Sequence, residues 1–418
     1  MDTEYLKMPH HYDPRRVYSQ YGTDWQERVN FDRLRRQRLE RVRAKMDKYN
    51  LGALILFDGN NIRYVTGYYP GNWKMQIFVR YCVIPRNGDP VLFETAGADL
   101  ECARIDAPWL AKRLRPAIVW RWAESGEEWM ARRMAESICD VLKEHGVMHE
   151  LIGLDTIDET GGRALAEAGI KRVNAWPAMT EARRIKTVDE LELLKQASAI
   201  GDSCFYQVHE EWLKPGVKEC ELAGNIMGYL ASQGFQMPWE PCVASGGHTN
   251  PYRRSFSEKI IRHGDLVIVD IIGSGPSGYM IDYVRTFLVG EKPTPEQKDL
   301  YKECYESMYR AIDKLRPGNT SADVAREFPQ YDDDTYETCS LIQFGHSLGL
   351  MTYEGMWITR GYSMKFPEII EENMYFAIET YSGRPGVQQA VRLEQNLVVT
   401  KDGPQVFTLF PFEEEMLK

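Results

Sequence analysis

Leu266-Val267-Ile268-Val269-Asp270, followed twelve positions on by Asp282 in Gly278-Tyr279-Met280-Ile281-Asp282, is the stretch on which the reading of this chain turns. Each acidic residue closes a run whose neighbours favour burial. The pattern recurs downstream: Glu379 ends Tyr375-Phe376-Ala377-Ile378, and Glu394 follows Val391-Arg392-Leu393. Between them His346 sits among small residues in Phe344-Gly345-His346-Ser347-Leu348-Gly349. A lone acid at a strand end is more often a turn or cap residue, and a lone histidine is more often part of a packed core. Five such residues in one half-chain change that balance. An ionised carboxylate in a buried setting costs several kcal/mol unless it is compensated. A pair of divalent cations compensates all four carboxylates together. Carboxylates with one imidazole form a ligand set suited to Mn, Fe, Co or Zn.

Outward from this centre, residues 266–270, 280–289, 374–380 and 391–400 have strand character. A boundary is expected near Arg183-Arg184-Ile185-Lys186. Directly after it, Thr187-Val188-Asp189-Glu190 has the form of a capping box, opening a helix that carries Leu191, Leu194 and Ala197 inward. Before the boundary, Leu34, Leu39, Val42 and Met46 predict a helix over residues 31–49. The apolar run 51–58, closed by Asp58-Gly59-Asn60, predicts a buried strand. Further strands are expected at 77–84, 90–93 and 151–155, with a helix over 127–146. Strands alternating with helices make the first part an α/β layer. The expected domains are an irregular arm over 1–30, an α/β domain over 31–183 and a second domain over 184–418.

Composition bounds the rest. The 418 residues carry 51 Lys+Arg against 61 Asp+Glu, a formal charge of −10, which argues against a nucleic-acid backbone as partner. No run approaches the ~20 apolar residues of a membrane span, and the start of the chain is polar rather than signal-like. The eight cysteines are scattered without a C-x-x-C pair, which fits free thiols in a reducing cytoplasm.

The five residues, in this order and setting, resemble the two-metal site of the pita-bread superfamily, the group of creatinase, aminopeptidase P and prolidase. Gly264-Asp265, Asp282-x-x-Arg285-Thr286, Gly345-His346, Arg392-x-Glu394, Arg184-Ile185-Lys186 with Asp189-Glu190, Asn61-Ile62-Arg63-Tyr64 and Thr66-Gly67 carry the same resemblance. It implies an α+β architecture: an amino-terminal creatinase-like α/β domain followed by a pita-bread metal-binding domain. It further implies two divalent ions bridged by water or hydroxide. Asp270 and Glu394 are then expected to bridge them, Asp282 to chelate one, and His346 with Glu379 to hold the other. Glu379 is expected to double as proton carrier.

The resemblance also implies a cytoplasmic homodimer acting on a small-molecule or dipeptide substrate. Tyr68 and Trp73, in the aromatic loop 68–73, are expected as a lid, and Arg392 as a substrate-binding residue. Proline-specific members carry two further histidines where this chain has Ile342 and Tyr353. Tyr353 is the remaining donor there, and His248, in Ser245-Gly246-Gly247-His248-Thr249-Asn250-Pro251, is a candidate replacement. The leading expectation is a two-metal hydrolase that cleaves an amide or Xaa-Pro-type C–N bond by metal-bridged hydroxide attack. A second follows from residues 407–412, the loop containing His248 and the ligand spacing, which resemble the metal-containing dimethylsulfoniopropionate lyases. For that C–S lyase chemistry Glu354 is the candidate base. A non-catalytic metal-binding scaffold is the third.

Overall fold

The structure is a computed structural model that describes residues 28–69, 78–290, 292–328, 344–383 and 386–418, with only the backbone of residues 237 and 238. The chain divides into two compact units, Asp32–Arg183 and Arg184–Lys418 together with the residues up to Phe31. Among the described residues no helix is long and apolar enough to cross a membrane, and seven cysteines are free thiols. Cys339 lies outside the described residues.

The amino-terminal unit is built on a six-stranded sheet of β1 (Ala53–Leu56), β2 (Tyr81–Pro85), β3 (Val91–Glu94), β4 (Leu114–Pro116), β5 (Leu151–Leu154) and β6 (Lys171–Asn174). Their order is β4-β3-β2-β1-β5-β6. Its helices are α1 (Phe31–Lys48), α2 (Gly59–Thr66), α3 (Ala98–Asp106), α4 (Glu127–Glu144), α5 (Glu159–Glu167) and α6 (Trp176–Arg184). Asp58 does not close a turn. It caps α2, accepting from the amides of Asn60 and Asn61. Asn61 is buried, donating from Nδ2 to Asp155 at 2.9 Å and accepting from Arg183, so the Asn61–Tyr64 motif ties α2 to the sheet and to α6. The inward face of α1 is Leu34, Arg38, Val42 and Met46. Arg38 takes the place expected for Leu39 because its guanidinium lies 5.2 Å over the Tyr64 ring. Strand β2 starts later than expected, at Tyr81, and residues 70–77 lie outside the described residues. Strands β4 and β6 escape sequence reading because they are short and polar, and β6 is exposed throughout.

Glu181 of α6 holds the end of α1: it accepts from Lys45 at 3.0 Å, from Lys48 at 2.7 Å and from Tyr49 at 2.5 Å. Desolvation opposes its ionisation, but the bonds from Lys48, Tyr49 and Lys45 outweigh it and bring its carboxyl down to about 2. A depressed acid stabilises the fold above its unfolded pKa and loses that contribution as pH falls through the folded value. Glu181→Gln is therefore expected to destabilise the protein by about 1 kcal/mol at pH 7, given the partial exposure of the pairs. The gap to wild type should shrink as pH falls from about 4.5 toward 2. Urea titrations of both proteins across that range check it, and a gap independent of pH would refute it.

The second unit opens at Thr187, whose hydroxyl accepts from the Glu190 amide while Glu190 reaches back to the Thr187 amide, so the capping box forms as read. Helix α7 (Val188–Gln207) buries Leu193, Leu194 and Ala197, with Leu191 half-buried. With α8 (Glu219–Ser232) it covers one face of a sheet formed by β7 (Met237–Pro238), β8 (Cys242–Ser245), β9 (Leu266–Ser274) and β10 (Met280–Leu288). Helices α9 (Pro295–Asp313) and α10 (Ser321–Ala325) pack on the second sheet. That sheet has the order β12-β11-β13-β14-β15, from β11 (Gly345–Ser347), β12 (Trp357–Ile358), β13 (Tyr375–Ser382), β14 (Val391–Thr400) and β15 (Gly403–Val406). Strands β10 and β14 face each other: Thr286 Oγ1 donates to Arg392 O at 2.6 Å, and Asn396 Nδ2 donates to Asp282 O. Both strands are buried almost throughout, because helices cover one face and the opposite sheet the other. The architecture is α+β, as expected.

Candidate metal centre

The register of these strands brings the five residues together. Asp270 pairs with Val284 across β9 and β10, and Asp282 with Ile272, so the two carboxylates are diagonal neighbours on one face. In the other sheet Glu379 and Glu394 stand directly opposite each other across β13 and β14. His346 pairs with Ala377, two residues before Glu379 on the same face. All five side chains are buried, with Glu394 at 0 % exposure. Like charges directly opposite one another destabilise a sheet, so this arrangement calls for a compensating charge. Among the described residues Arg392 supplies part of it by pairing with Glu379.

The compensation is incomplete in a specific way. Asp270 Oδ1, His346 Nε2, Glu379 Oε1 and both Glu394 carboxylate oxygens are buried without a hydrogen-bond partner. His346 Nδ1 donates to Ser347 O at 3.3 Å, so Nε2 is the ring nitrogen turned to the carboxylates. His346 Nε2 is 3.4 Å from Asp282 Oδ2 and 3.9 Å from Glu379 Oε1. Acceptors facing acceptors need a cation between them. Ligand atoms of Asp282, His346 and Glu394 all lie within 4.8 Å of one another. The hard, oxygen-rich donor set with one imidazole fits divalent Mn, Fe, Co or Zn.

The electrostatics agree. Burial, then the charge of Asp282, pushes the Asp270 carboxyl up to about 7 against the pull of Arg392, Tyr252 and Arg254. Burial, then Asp282 and Asp270, raises Glu394 well above the usual carboxylate range.

Other expected site residues fall in different places. His248 follows β8 in a short turn, its Nδ1 3.2 Å from both oxygens of Glu219. Glu219 is itself buried and accepts from Ser245 N, Ser245 Oγ and Ser257 Oγ. Tyr353 is half exposed, its ring 4.7 Å from that of His346 in an edge-on contact. Glu354 corrects the expectation of a free base. It is buried, and Lys186 Nζ donates to it at 2.6 Å. Glu354 is therefore committed to the Lys186 ammonium rather than open to a substrate, and among the described residues no geometry favours the lyase reading. Arg392 is likewise not open to a substrate; it is buried on Glu379, because a buried carboxylate demands a countercharge. Tyr68 is buried inside the amino-terminal unit, its amide donating to Thr66 Oγ1, which removes it from an exposed lid. Trp73 and Ile342 lie outside the described residues.

Three residues of the site were not read from the sequence. Tyr252 donates to Asp270 Oδ2 at 3.3 Å. Its only sequence signal is its place in the loop that carries His248. Glu219 and Asn396 gave no signal, since one is an acidic residue in the first turn of a helix and the other sits inside a strand.

The profile of metallopeptidase family M24 matches residues 192–401, and that of the creatinase/prolidase N-terminal domain matches residues 38–164. An uncharacterized peptidase of Bacillus subtilis is 24 % identical over 90 % of this chain and 99 % of its own length. An Xaa-Pro dipeptidase of Lactobacillus delbrueckii is 31 % identical over 54 % of this chain and 60 % of its own. Among solved structures, an Xaa-Pro dipeptidase from Bacillus anthracis superposes with a TM-score of 0.73 at 23 % identity, covering 91 % of this chain and 99 % of that one. That likeness establishes the shared fold.

Proposed function

Because the chain belongs to metallopeptidase family M24, we propose that it is a two-metal hydrolase that cleaves the C–N bond of a dipeptide-sized substrate, an Xaa-Pro dipeptide first among them. The single observation that carries this reading is the buried cluster of unpartnered ligand atoms on Asp270, His346, Glu379 and Glu394 beside Asp282. These five side chains hold the ions in this proposal. Asp282, His346 and Glu394, whose ligand atoms lie within 4.8 Å of one another, would hold one part of the centre, with Asp270 and Glu379 completing the set. When bound, the ions supply Lewis acidity toward the scissile carbonyl and acidify a nearby water enough for it to attack near neutral pH.

The chain's own groups do the rest. Arg392 holds one oxygen of Glu379, leaving Oε1 to take the proton of the attacking water and return it to the leaving amine. Glu219 fixes His248 through Nδ1, which frees Nε2 to hydrogen-bond the substrate. The exposed Tyr353 ring, edge-on to His346, offers an apolar wall for a substrate side chain.

Elemental analysis of protein purified without chelator should give about two ions per chain, and turnover of Ala-Pro should consume one water per bond cleaved. Fewer than about one ion per chain, or an unsaturated product formed without water, would overturn the proposal.

A further inference from the structure

Tyr252 reaches the carboxylate cluster from outside the strands that carry it. Its hydroxyl donates to Asp270 Oδ2 at 3.3 Å, while Asp270 Oδ1 stays buried without a partner. The Arg392 guanidinium lies 5.2 Å over the Tyr252 ring, and the Tyr381 ring lies 6.2 Å away. The loop is anchored on the opposite sheet. Tyr381 Oη is within hydrogen-bond distance of Thr249 O and Asn250 Oδ1, and Asn250 Nδ2 donates to Val387 O at 2.7 Å. One phenol therefore connects an Asp of β9 to a loop fastened on β13, with Arg392 of β14 stacked on its face.

We propose that Tyr252 is a positioning residue of the metal centre. By holding Oδ2, its hydroxyl fixes the rotation of the Asp270 carboxylate and turns Oδ1 toward the ions, while its ring supports the arginine that holds Glu379. This rests on the metal-centre reading above. A ligand carboxylate with one oxygen hydrogen-bonded keeps its orientation and basicity, and disturbing such a partner typically costs about 10–100-fold in metal affinity. Tyr252→Phe removes the hydroxyl and keeps the ring under Arg392, so it isolates the positioning contact from the packing.

The test uses the full chain, stripped with chelator and titrated with Mn2+, together with the visible absorption of the Co2+-loaded protein. For Tyr252→Phe, the expected result is an unchanged melting temperature of the metal-free protein, affinity for one ion lowered about 10–100-fold, and a shifted Co2+ band. Tyr252→His keeps a ring N–H donor and should recover affinity toward wild type. A Tyr252→Phe protein with wild-type affinity and spectrum, beside a wild type that binds two ions, overturns the proposal. So does a Tyr252→His protein as weak as Tyr252→Phe. A wild type that binds no ion is a different result, which removes the metal-centre reading itself.

Discussion

Asp282→Asn is expected to make the metal-free protein more stable and to abolish its turnover. In the metal-free chain Asp282 lies 3.4 Å from His346 Nε2 and raises the carboxyls of both Asp270 and Glu394. Replacing it by an isosteric amide removes one buried charge from a like-charged cluster. The relief should be roughly 1–3 kcal/mol, the scale of a poorly compensated buried ion. For a unit of this size that corresponds to about 2–4 °C in melting temperature per kcal/mol. With metal added the order should reverse, because the amide is a poor ligand for the ions that stabilise wild type by mass action. Since a side chain of the proposed ligand set is lost, kcat/KM should fall by more than the roughly 10–100-fold of an outer-shell change. Melting of chelator-treated and Mn2+-loaded samples, with steady-state kinetics on Ala-Pro, reads both effects. A metal-free Asp282→Asn protein less stable than wild type would contradict the account of the cluster.

Lys186→Met carries the second large effect, and it lies outside the ligand set. Lys186 and Glu354 form an ion pair at 2.6 Å, with side chains at 0 % and 2 % exposure. The Glu354 amide also donates to Ser347 O, next to the metal-site histidine, and a Cβ at Gly349 would collide with the Glu354 carboxylate. Removing the ammonium takes a buried countercharge away from that carboxylate. Breaking a buried pair from one side typically costs about 3–5 kcal/mol. Replacing both partners by apolar groups of similar shape often costs little, so Lys186→Met with Glu354→Leu should recover most of the loss. Urea unfolding of the two single variants and the double variant gives the cycle. Additive losses would show that the pair does not act as a unit.

The residues that set the metal centre were legible because β-strand periodicity and burial act on each of them locally. Asp270, Asp282, Glu379 and Glu394 stand in apolar runs long enough to declare a strand, and Thr187-x-x-Glu190 declares a helix start by chemistry within four residues. Their division of labour was not legible. Whether Asp270 or Asp282 sits beside His346 depends on a stagger between β9 and β10 and on how β10 meets β14, neither of which leaves a mark in a single sequence. The same holds for Arg392 and Glu354. Both read as polar residues available for chemistry, yet both are committed to partners far along the chain. Tyr252 and Glu219 were missed because their roles consist of contacts to residues distant in sequence, and a tyrosine in a loop or a glutamate at a helix start is common for other reasons.

Glu394 stands on β14, flanked by β13 on one side and β15 on the other. Behind it Arg285 donates to Glu394 O and, at 2.8 Å, to Phe410 O, while Asp202 takes the amides of Leu409 and Phe410. During synthesis, which proceeds from the amino terminus and lets the first domain fold first, the carboxylates of β9 and β10 emerge long before their counterparts. Nothing in the early chain can close the cluster. A nascent chain that ends before β13 lacks Glu379 and Glu394, so the five-residue set is complete only once the second sheet has been made.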